Sequence, residues 1–363
     1  MRTIDVGIIG GGLIAQVEHL PNLLNLPNLF RLRGIAEPSP KVRQHVEKRF
    51  GVKTFETAEA LLAEPLEAVV IAAPDSHHAD LSIAALKRGL HVFCEKPLCY
   101  RPEDADRIAA ARDQAGRVLQ VGYMKRYDPS WRLLREMIDG QGERLLMVSV
   151  EVNDPDSWPF VAHRDFVAGD DVPRALVEEG RNRRAEQVAN VVGRPLTPDE
   201  VNSVASRYFS SMVHDVNLVH GLLDVMDVTT GEIAGAAVFA GSGGGGQGTI
   251  RLSGDRLWTV FHLAVPKLAD YLERVSLFFD DRIYVLEFPA PYLNHQQTAL
   301  YEKRSRGEHA ETILHRASYA EAFVEELRDW WRAIVEGAKV SNTVEQARRD
   351  LVLLGKLARK ALG

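Results

Sequence analysis

Residues 5–15 have the sequence DVGIIGGGLIA, in which a short apolar run leads into the pattern G-x-G-x-x-A. The apolar residues are typical of a buried strand, and glycines at positions 10 and 12 allow the tight turn and the close backbone approach that a pyrophosphate group requires. The small side chain of Ala15 lets the following helix pack closely on the sheet. The stretch therefore predicts the first strand, turn and helix of a dinucleotide-binding domain. The residues expected to line the dinucleotide here are Gly10, Gly12, Leu13 and Ile14.

An acidic residue, Glu37, directly follows the second predicted strand at residues 30–36. A carboxylate at this strand end accepts hydrogen bonds from the adenosine ribose hydroxyls and repels a 2′-phosphate. Glu37 therefore favours NAD over NADP as the cofactor. NADP stays open as an alternative, because Ser39, Lys41 and Arg43 lie close by in sequence and are suited to bind a phosphate.

Strands and helices alternate from the N-terminus to Gly122. Residues 66–73 form a continuous apolar run that Pro74 ends, as is typical of a parallel strand buried on both faces. The alternation predicts an α/β fold with a doubly wound parallel sheet of the Rossmann type, whose ligand lies at the carboxyl ends of the strands. Ala73 and Pro74 are expected at that edge and are therefore predicted dinucleotide contacts.

A charged pair ends another predicted strand, in the sequence HVFCEKPL at residues 91–98. The apolar strand runs into Glu95 and Lys96, and Pro97 stops it by removing a backbone donor. Taken alone, the pair is either an ordinary surface ion pair or part of a ligand site at the edge of the sheet.

The 363 residues are too many for one typical domain and indicate two. After residue 126 the alternation stops, and a meander of predicted strands between residues 231 and 288 indicates a C-terminal α+β domain. We expect a dinucleotide-binding domain at 1–126, a second domain at 127–340, and a C-terminal helix at 341–363 that packs back on the first domain.

Composition narrows the function class. The formal net charge of −6 gives no basic excess for nucleic acid or an acidic membrane surface, and no apolar run approaches the length of a membrane span. The only two cysteines provide neither a disulfide framework nor a metal-ligand spacing, and the histidines do not supply one either, so we expect no metal. These features predict a cytoplasmic protein.

Four sequence features together resemble the Gfo/Idh/MocA oxidoreductase family: the glycine turn, the segment from Pro74 to His78, Glu95-Lys96-Pro97, and the sequence GYMKRY at residues 122–127. The resemblance is strong in the first domain and extends to the remainder through the order of its elements. It implies an NAD(P)-dependent enzyme that oxidises or reduces sugars, cyclitols and related hydroxylated rings. It also implies that the second domain has an open, mostly antiparallel sheet that carries the substrate and commonly the subunit interface, which favours a homodimer or homotetramer.

The resemblance also assigns roles to individual residues. Lys96 is expected to contact both the nicotinamide ribose and the reacting hydroxyl, and Glu95 to hold Lys96 or the ribose. His78 matches the family pattern Pro-x-x-x-His and is expected near the cofactor. These matches favour the ligand site over the surface ion pair.

A second catalytic element of the family is a helix start with an aspartate followed four residues later by a histidine. His214, Asp215 and Asn217 match this element, but Ser210 stands where the family has the aspartate. We interpret His214 as the general base that takes the hydroxyl proton, because a neutral imidazole has a suitable pKa. Two alternatives remain: glycoside cleavage assisted by transient ring oxidation, and a non-catalytic sensor, which the serine motivates.

Substrate contacts are expected after the last strand of the first domain, where Tyr123, Lys125 and Arg126 stand. The two cations either lie in solvent or face inward, and in the second case they indicate a substrate with an acidic group. Ser210 and Asn217 complete the predicted substrate site. An irregular stretch is interpreted as either a lid or a solvated loop. Its polar and aromatic residues are Asp154, Asp156, Trp158, His163, Arg164 and Asp165.

Overall fold

The computed structural model describes residues 2–155, 157–239 and 244–363. Its strands, in chain order, are β1 Ile4–Ile9, β2 Phe30–Ala36, β3 Thr54–Phe55, β4 Ala68–Ile71, β5 His91–Glu95, β6 Leu119–Gly122, β7 Leu145–Asn153, β8 Thr230–Phe239, β9 Gly245–Leu252, β10 Arg256–Leu263, β11 Leu272–Phe279, β12 Arg282–Phe288, β13 Ala299–Arg306 and β14 His309–His315.

The α-helices are α1 Leu20–Leu24, α2 Pro40–Phe50, α3 Ala58–Leu62, α4 His78–Lys87, α5 Pro102–Ala115, α6 Pro129–Met137, α7 Trp158–Val161, α8 Arg174–Val192, α9 Pro198–Ser203, α10 Val213–Val225, α11 Ala322–Val335 and α12 Val344–Leu362. Two π-helices, Ala15–His19 and Val204–Met212, precede α1 and α10 respectively. Short 3-10 turns lie at Asp75–His77, Met124–Tyr127, Gly142–Arg144 and Ala162–Arg164.

The chain divides into two compact units. The first contains Met1–Tyr123, Val161–Asn190 and Phe323–Leu351, and the second contains Met124–Phe160, Val191–Ala322 and Val352–Gly363. These units differ from the expected ranges 127–340 and 341–363. The reason is that two segments beyond residue 123 pack on the Rossmann sheet and its loops, and that α12 is divided between the units.

The first unit is built on a six-stranded sheet in the order β3-β2-β1-β4-β5-β6, and all of its strand pairs are parallel. The predicted Rossmann fold is therefore confirmed. Thr54 and Phe55 pair with β2 as the edge strand β3. Helix α3 starts only after Thr57, whose side chain accepts a hydrogen bond from the Ala60 amide at 3.2 Å.

Helix α11 covers the Rossmann sheet with aromatic side chains. The fully buried ring of Trp330 stacks on Phe30 at a centroid distance of 5.8 Å and meets Phe93 edge-on at 5.7 Å. The indole nitrogen of Trp331 donates to the backbone oxygen of Arg2 at 2.9 Å, and the Gln120 amide on β6 donates to the backbone oxygen of Glu326 at 2.8 Å. A C-terminal segment therefore completes the core around β1, β2 and β5.

The second unit is built on an eight-stranded sheet in the order β14-β13-β12-β11-β7-β10-β9-β8. Only the pair of β7 and β10 is parallel among its described pairings, so the predicted mostly antiparallel sheet is confirmed. The sequence did not predict β13 and β14. Most side chains of β13 from Lys303 onwards and of β14 are polar and exposed, as edge strands often are, and they therefore lack an apolar pattern.

The packing of α11 leads to a stability prediction. Replacing Trp330 by alanine removes a fully buried aromatic side chain and leaves a cavity between Phe30 and Phe93, so we expect a loss of about 3–5 kcal/mol in the free energy of unfolding. Urea titration followed by circular dichroism measures this loss. Tyr319→Ala, which truncates a side chain that is 71% exposed, serves as the control and should change stability by less than about 0.5 kcal/mol. Similar losses in the two variants would contradict the assigned role of α11.

Candidate functional site

The glycine turn after β1 has the geometry that a dinucleotide requires. Gly10 has φ +99°, and a Cβ atom there would come within 2.4 Å of the Ala72 backbone oxygen. A Cβ on Gly12, in contrast, would meet no atom within 4 Å, so open space adjoins the turn at this position. Leu13 and Ile14 then begin the helical segment. The residues present fit a pyrophosphate lying against the start of a helix.

Glu37 lies at the end of β2 and is buried against this turn. Its Oε2 accepts a hydrogen bond from the Gly11 amide at 2.7 Å, and its Oε1 accepts one from the Ser39 amide at 2.8 Å. A carboxylate has about four lone-pair positions, so two of them stay available for ribose hydroxyls. Glu37 thus lies beside the glycine turn with acceptor positions that its two backbone contacts do not use.

The Glu-Lys-Pro strand end is joined to the glycine turn by a buried hydrogen bond. His19, at the end of the π-helix that follows the turn, contacts the Glu95 carboxylate at 2.7 Å from Nε2 to Oε1. Burial alone would raise the pKa of Glu95, but the hydrogen bond and charge of His19, together with Lys96, outweigh burial and lower it. Glu95 is therefore an ionised carboxylate, and its Oε2 accepts a hydrogen bond from the Lys96 amide at 3.2 Å.

His78 connects two predicted cofactor segments. Its Nδ1 lies 2.7 Å from the Pro97 backbone oxygen and its Nε2 lies 2.8 Å from the Ala73 backbone oxygen. Two carbonyl acceptors require a proton on each ring nitrogen. Burial alone would lower the pKa of His78, but the Cys94 sulfur, the Pro97 carbonyl and Asp75 outweigh it and raise the pKa to about 9. The imidazolium thus holds the ends of β4 and β5 together.

His214 lies in the second unit, in the first turn of α10, and Lys96 lies in the first unit. The π-helix Val204–Met212 contains Ser210 and passes into α10 immediately before His214. Such π-helices are rare and are frequently found at functional sites. The neighbouring Ser211 hydroxyl donates to Asp154 Oδ2 at 3.2 Å, so a carboxylate from the end of β7 contacts this helix start.

A buried polar cluster surrounds Asp215. Lys125 Nζ donates to Glu273 Oε2 at 2.5 Å, and the Tyr271 hydroxyl donates to the same oxygen. Asp215 lies close enough to Lys125 and Glu273 to feel both charges. Burial, opposed by Lys125 but reinforced by Glu273 and Asp154, raises the pKa of Asp215 well above its ordinary value.

Burial also moves the pKa values of nearby groups in the direction that favours their neutral forms. It raises the pKa of Asp154, and together with Glu273 it raises the pKa of the Tyr271 hydroxyl well above its usual range. Burial and the positive charges of Arg207 and Lys125 lower the pKa of His262 to about 3. The second unit therefore contains a cluster of buried polar groups around the ion pair of Lys125 and Glu273.

The remaining predicted substrate residues have internal partners. Lys125 is paired with Glu273, and the Arg126 guanidinium donates to the Asn217 backbone oxygen at 3.0 and 2.6 Å. Both cations are buried, which excludes the alternative that they lie in solvent. The Tyr123 backbone oxygen accepts a hydrogen bond from Asn342 at 3.1 Å, and the Asn217 side chain is buried.

The predicted lid stretch is divided between the two units. Asp154 belongs to the polar cluster, whereas Trp158 is 58% exposed and Asp156 lies outside the described residues. His163 is exposed, and Arg164 forms an ion pair with Glu18 at 3.7 Å. Asp165 pairs with Arg49 at 3.9 Å. From Val161 onwards the stretch therefore packs on the first unit and is not a solvated loop.

Across residues 2–155, 157–239 and 244–363, no group of three or more histidine, cysteine or acidic residues is arranged to hold a metal ion. Over the same ranges, no helix combines the length and the apolar character that crossing a membrane requires.

Sequence reasoning missed several of these residues. Glu273 could have been recognised from the sequence, because it lies two and four positions before Val275 and Leu277 and therefore on the same buried face of β11. An acidic side chain on such a face needs a partner. His19 had no such signal, because its partner Glu95 lies 76 positions away in sequence.

Comparison with known proteins supports the geometry of the first unit. Residues 4–123 match the family model described as "Oxidoreductase family, NAD-binding Rossmann fold". The fold and the glycine turn thus agree with a dinucleotide-binding Rossmann domain of the kind that this family model describes. Residues 4–123 belong to the Gfo/Idh/MocA family, as the resemblance predicted, and the predicted nicotinamide dinucleotide is confirmed at the level of this domain.

One similar protein is inositol 2-dehydrogenase 3 of Saccharopolyspora erythraea, with 30% identity over 170 residues. The alignment covers 46% of this chain and 50% of the relative, so the chain spans about half the length of that protein.

Two solved structures share the fold over the whole chain. The UDP-N-acetylglucosamine 3-dehydrogenase GnnA of Acidithiobacillus ferrooxidans has a TM-score of 0.73 at 20% identity, covering 99% of this chain and 98% of that one. KijD10, a 3-ketoreductase of Actinomadura kijaniata in complex with NADP and TDP-benzene, has a TM-score of 0.74 at 20% identity and the same coverage. At this identity the likeness establishes the fold.

The environment of His78 predicts a pH-dependent contribution to stability. The pKa of His78 is about 9 in the folded protein and near 6.5 in the unfolded chain. Protonation of His78 therefore stabilises the fold fully at pH values below 6.5, and this contribution is lost as the pH rises through about 9. At about 1.4 kcal/mol per pKa unit, the contribution is on the order of 3 kcal/mol. We expect the stability difference between the wild type and His78→Gln to shrink by that order between pH 6 and pH 9.5 in urea titrations.

The exposed His309 provides the matched control, and His309→Gln should leave the unfolding free energy unchanged at every pH. A wild-type advantage over His78→Gln that is constant with pH would refute the assigned charge.

Proposed function

We propose that the chain is an NAD-dependent oxidoreductase that transfers a hydride between nicotinamide and a secondary hydroxyl or ketone of a sugar, sugar derivative or cyclitol. The observation that carries this proposal is the buried contact between His19 and Glu95. It joins the helix after the pyrophosphate turn to the strand end with the predicted catalytic lysine, so the two cofactor elements form one rigid piece.

The proposed mechanism gives each residue one task. The nicotinamide, when bound, accepts or supplies the hydride. His214 takes the proton of the substrate hydroxyl as general base, and the Lys96 ammonium donates a hydrogen bond to the oxygen as negative charge develops there. Glu95, which His19 keeps ionised, positions Lys96 through its backbone amide and its charge.

The polar cluster in the second unit supports an uncharged polyol as the substrate. The Tyr271 hydroxyl already donates to Glu273 and Asp215 is buried, so Asp154 is the member of this cluster that offers an acceptor to a ligand. A carboxyl acceptor beside a compensated lysine suits the hydroxyl groups of a sugar or cyclitol ring. Glu273 compensates the charge of Lys125, which argues against a strongly acidic substrate. The similarity to an inositol 2-dehydrogenase supports the same class.

Asp154 also bears on the sensor alternative, which rests on Ser210. Its hydrogen bond to Ser211 brings a carboxylate to the helix start that contains Ser210. We therefore favour catalysis over sensing.

The catalytic assignment predicts the order of two variants. Because Ser210 replaces the family aspartate, we expect Lys96 to bear more of the catalytic load than His214. Lys96→Met should lower kcat by about 10³-fold or more, and His214→Ala by about 10²-fold. The measurement is NADH formation with a panel of sugars and cyclitols, run in parallel with NAD and NADP.

The exposed Lys87 on α4 provides the matched control, and Lys87→Met should retain full turnover. A larger loss in His214→Ala than in Lys96→Met would refute the order. Dinucleotide binding without turnover or isotope exchange would favour the sensor, and substrate cleavage without net NADH would favour oxidation-assisted glycoside cleavage.

We also propose that copies of the chain associate through the outward face of the eight-stranded sheet. Leu257 and Phe261 on β10 are 36% and 39% exposed there, on the face opposite the buried Trp258. Thr259 pairs with Ser149 of β7, which pairs in turn with Ser276 of β11, so the centre of this face is uncharged. A face with an uncharged central row and two partly exposed apolar side chains suits a subunit interface.

This association predicts an oligomer that one charge disrupts. Leu257→Glu places a carboxylate on the proposed interface, so light scattering after gel filtration should show a shift towards the monomer. Leu24→Glu changes a leucine of similar exposure, 39%, in the first unit and should leave the mass unchanged. A wild-type monomer, or equal masses for the wild type and Leu257→Glu, would refute this interface.

A further inference from the structure

Residues 161–190 form a cover on the first unit that reaches the carboxyl ends of three neighbouring strands. At its centre, Gln16 in the π-helix after the glycine turn binds the Val167 backbone through both amide atoms, at 2.9 Å to the oxygen and 3.1 Å to the nitrogen. The same Gln16 nitrogen donates to the Gly11 oxygen at 2.7 Å. Further along, Arg183 in α8 donates to the Ser76 oxygen beyond β4 at 2.8 Å.

Beyond Val167, the cover reaches the start of α2, which follows β2. The Asp171 carboxylate accepts hydrogen bonds from the Ser39 hydroxyl and, at 2.9 Å, from the Lys41 amide. The Lys41 ammonium donates to both Asp170 oxygens at 2.9 Å. Gly169 makes this contact possible, because a Cβ there would come within 3.1 Å of the Ser39 Cβ.

These are the groups that would otherwise bind a 2′-phosphate of the adenosine ribose. Ser39 and Lys41 are two of the residues that keep NADP open as an alternative in the sequence, and here both are bound to carboxylates of the chain itself. Arg43, the third candidate, donates to the Glu37 and Pro38 backbone oxygens at 2.8 and 2.9 Å. A dianionic phosphate here would meet two aspartates in addition to Glu37.

We propose that Asp170 and Asp171 are specificity-determining residues that exclude NADP by occupying the 2′-phosphate position at the start of α2. The proposal rests on the proposed dinucleotide binding and deepens it, since it assigns cofactor choice to a segment more than 130 residues beyond Glu37 in sequence. This proposal is compatible with hydrogen bonds from the ribose hydroxyls to Glu37, because Asp171 contacts Ser39 and Lys41 and not the Glu37 carboxylate.

Calorimetric titration of the full chain tests the proposal through binding and does not depend on turnover. The probes are NAD and NADP, together with 5′-AMP and 2′,5′-ADP, which differ only by the 2′-phosphate. In the double variant Asp170→Asn/Asp171→Asn, the amide oxygens keep hydrogen-bond acceptors while both charges disappear. Removing two like charges from the phosphate position should tighten NADP and 2′,5′-ADP by about tenfold or more while NAD and 5′-AMP change less than about twofold.

Asp165→Asn is the matched control, since it removes the same charge from the same cover at a residue that pairs with Arg49. We expect it to leave the ratio of NAD to NADP affinity unchanged. An unchanged ratio in the double variant, an equal gain for both cofactors, or tight NADP binding by the wild type would overturn the proposal. Wild-type protein that binds neither dinucleotide would instead overturn the proposed function, so the two failures are distinguishable.

Discussion

The hydrogen bond between His19 and Glu95 is the interaction on which the first unit's site depends. It places an ionised carboxylate inside the protein at the end of β5, where burial alone would favour the neutral acid. The cost is offset by the imidazole and by the adjacent Lys96. Glu326 on α11 shows the opposite outcome, since burial and the charges of Glu95 and Glu18 raise its pKa well above the ordinary value. One buried acid is charged and its neighbour is neutral because only the first has a cationic partner.

The same division of charge is found in the second unit. Lys125 stabilises one carboxylate, Glu273, and Asp215 keeps its proton beside that pair. Each unit therefore compensates a buried carboxylate with a cationic side chain. Such pairing offsets part of the desolvation cost of the buried charges.

The sequence predicted those parts whose chemistry lies in consecutive residues. The turn at Gly10–Gly12 and the strand ends at Glu37 and Lys96 were found because a strand, a turn and a polar residue follow one another directly. The packing of Trp330 on Phe30 could not be predicted, because an aromatic residue in an amphipathic helix does not indicate which sheet the helix covers. Lys125 and Glu273 are 148 positions apart, and only the fold shows that they pair. Strands β13 and β14 were not predicted because polar, exposed side chains are frequent in them, so apolar and polar residues do not alternate along the two strands.

The contact between Gln16 and Val167 has a consequence for how the cover tolerates mutation. Gln16 binds only backbone atoms of Val167, so the contact sets the path of the segment without specifying the side chain at position 167. Substitutions at position 167 are therefore tolerated wherever the backbone route is kept. Position 16 lacks that freedom, because an amide side chain is needed to donate and accept at once. The cover is thus attached to the glycine turn through its own backbone, whereas its contacts with Ser39 and Ser76 depend on the side chains of Asp171 and Arg183.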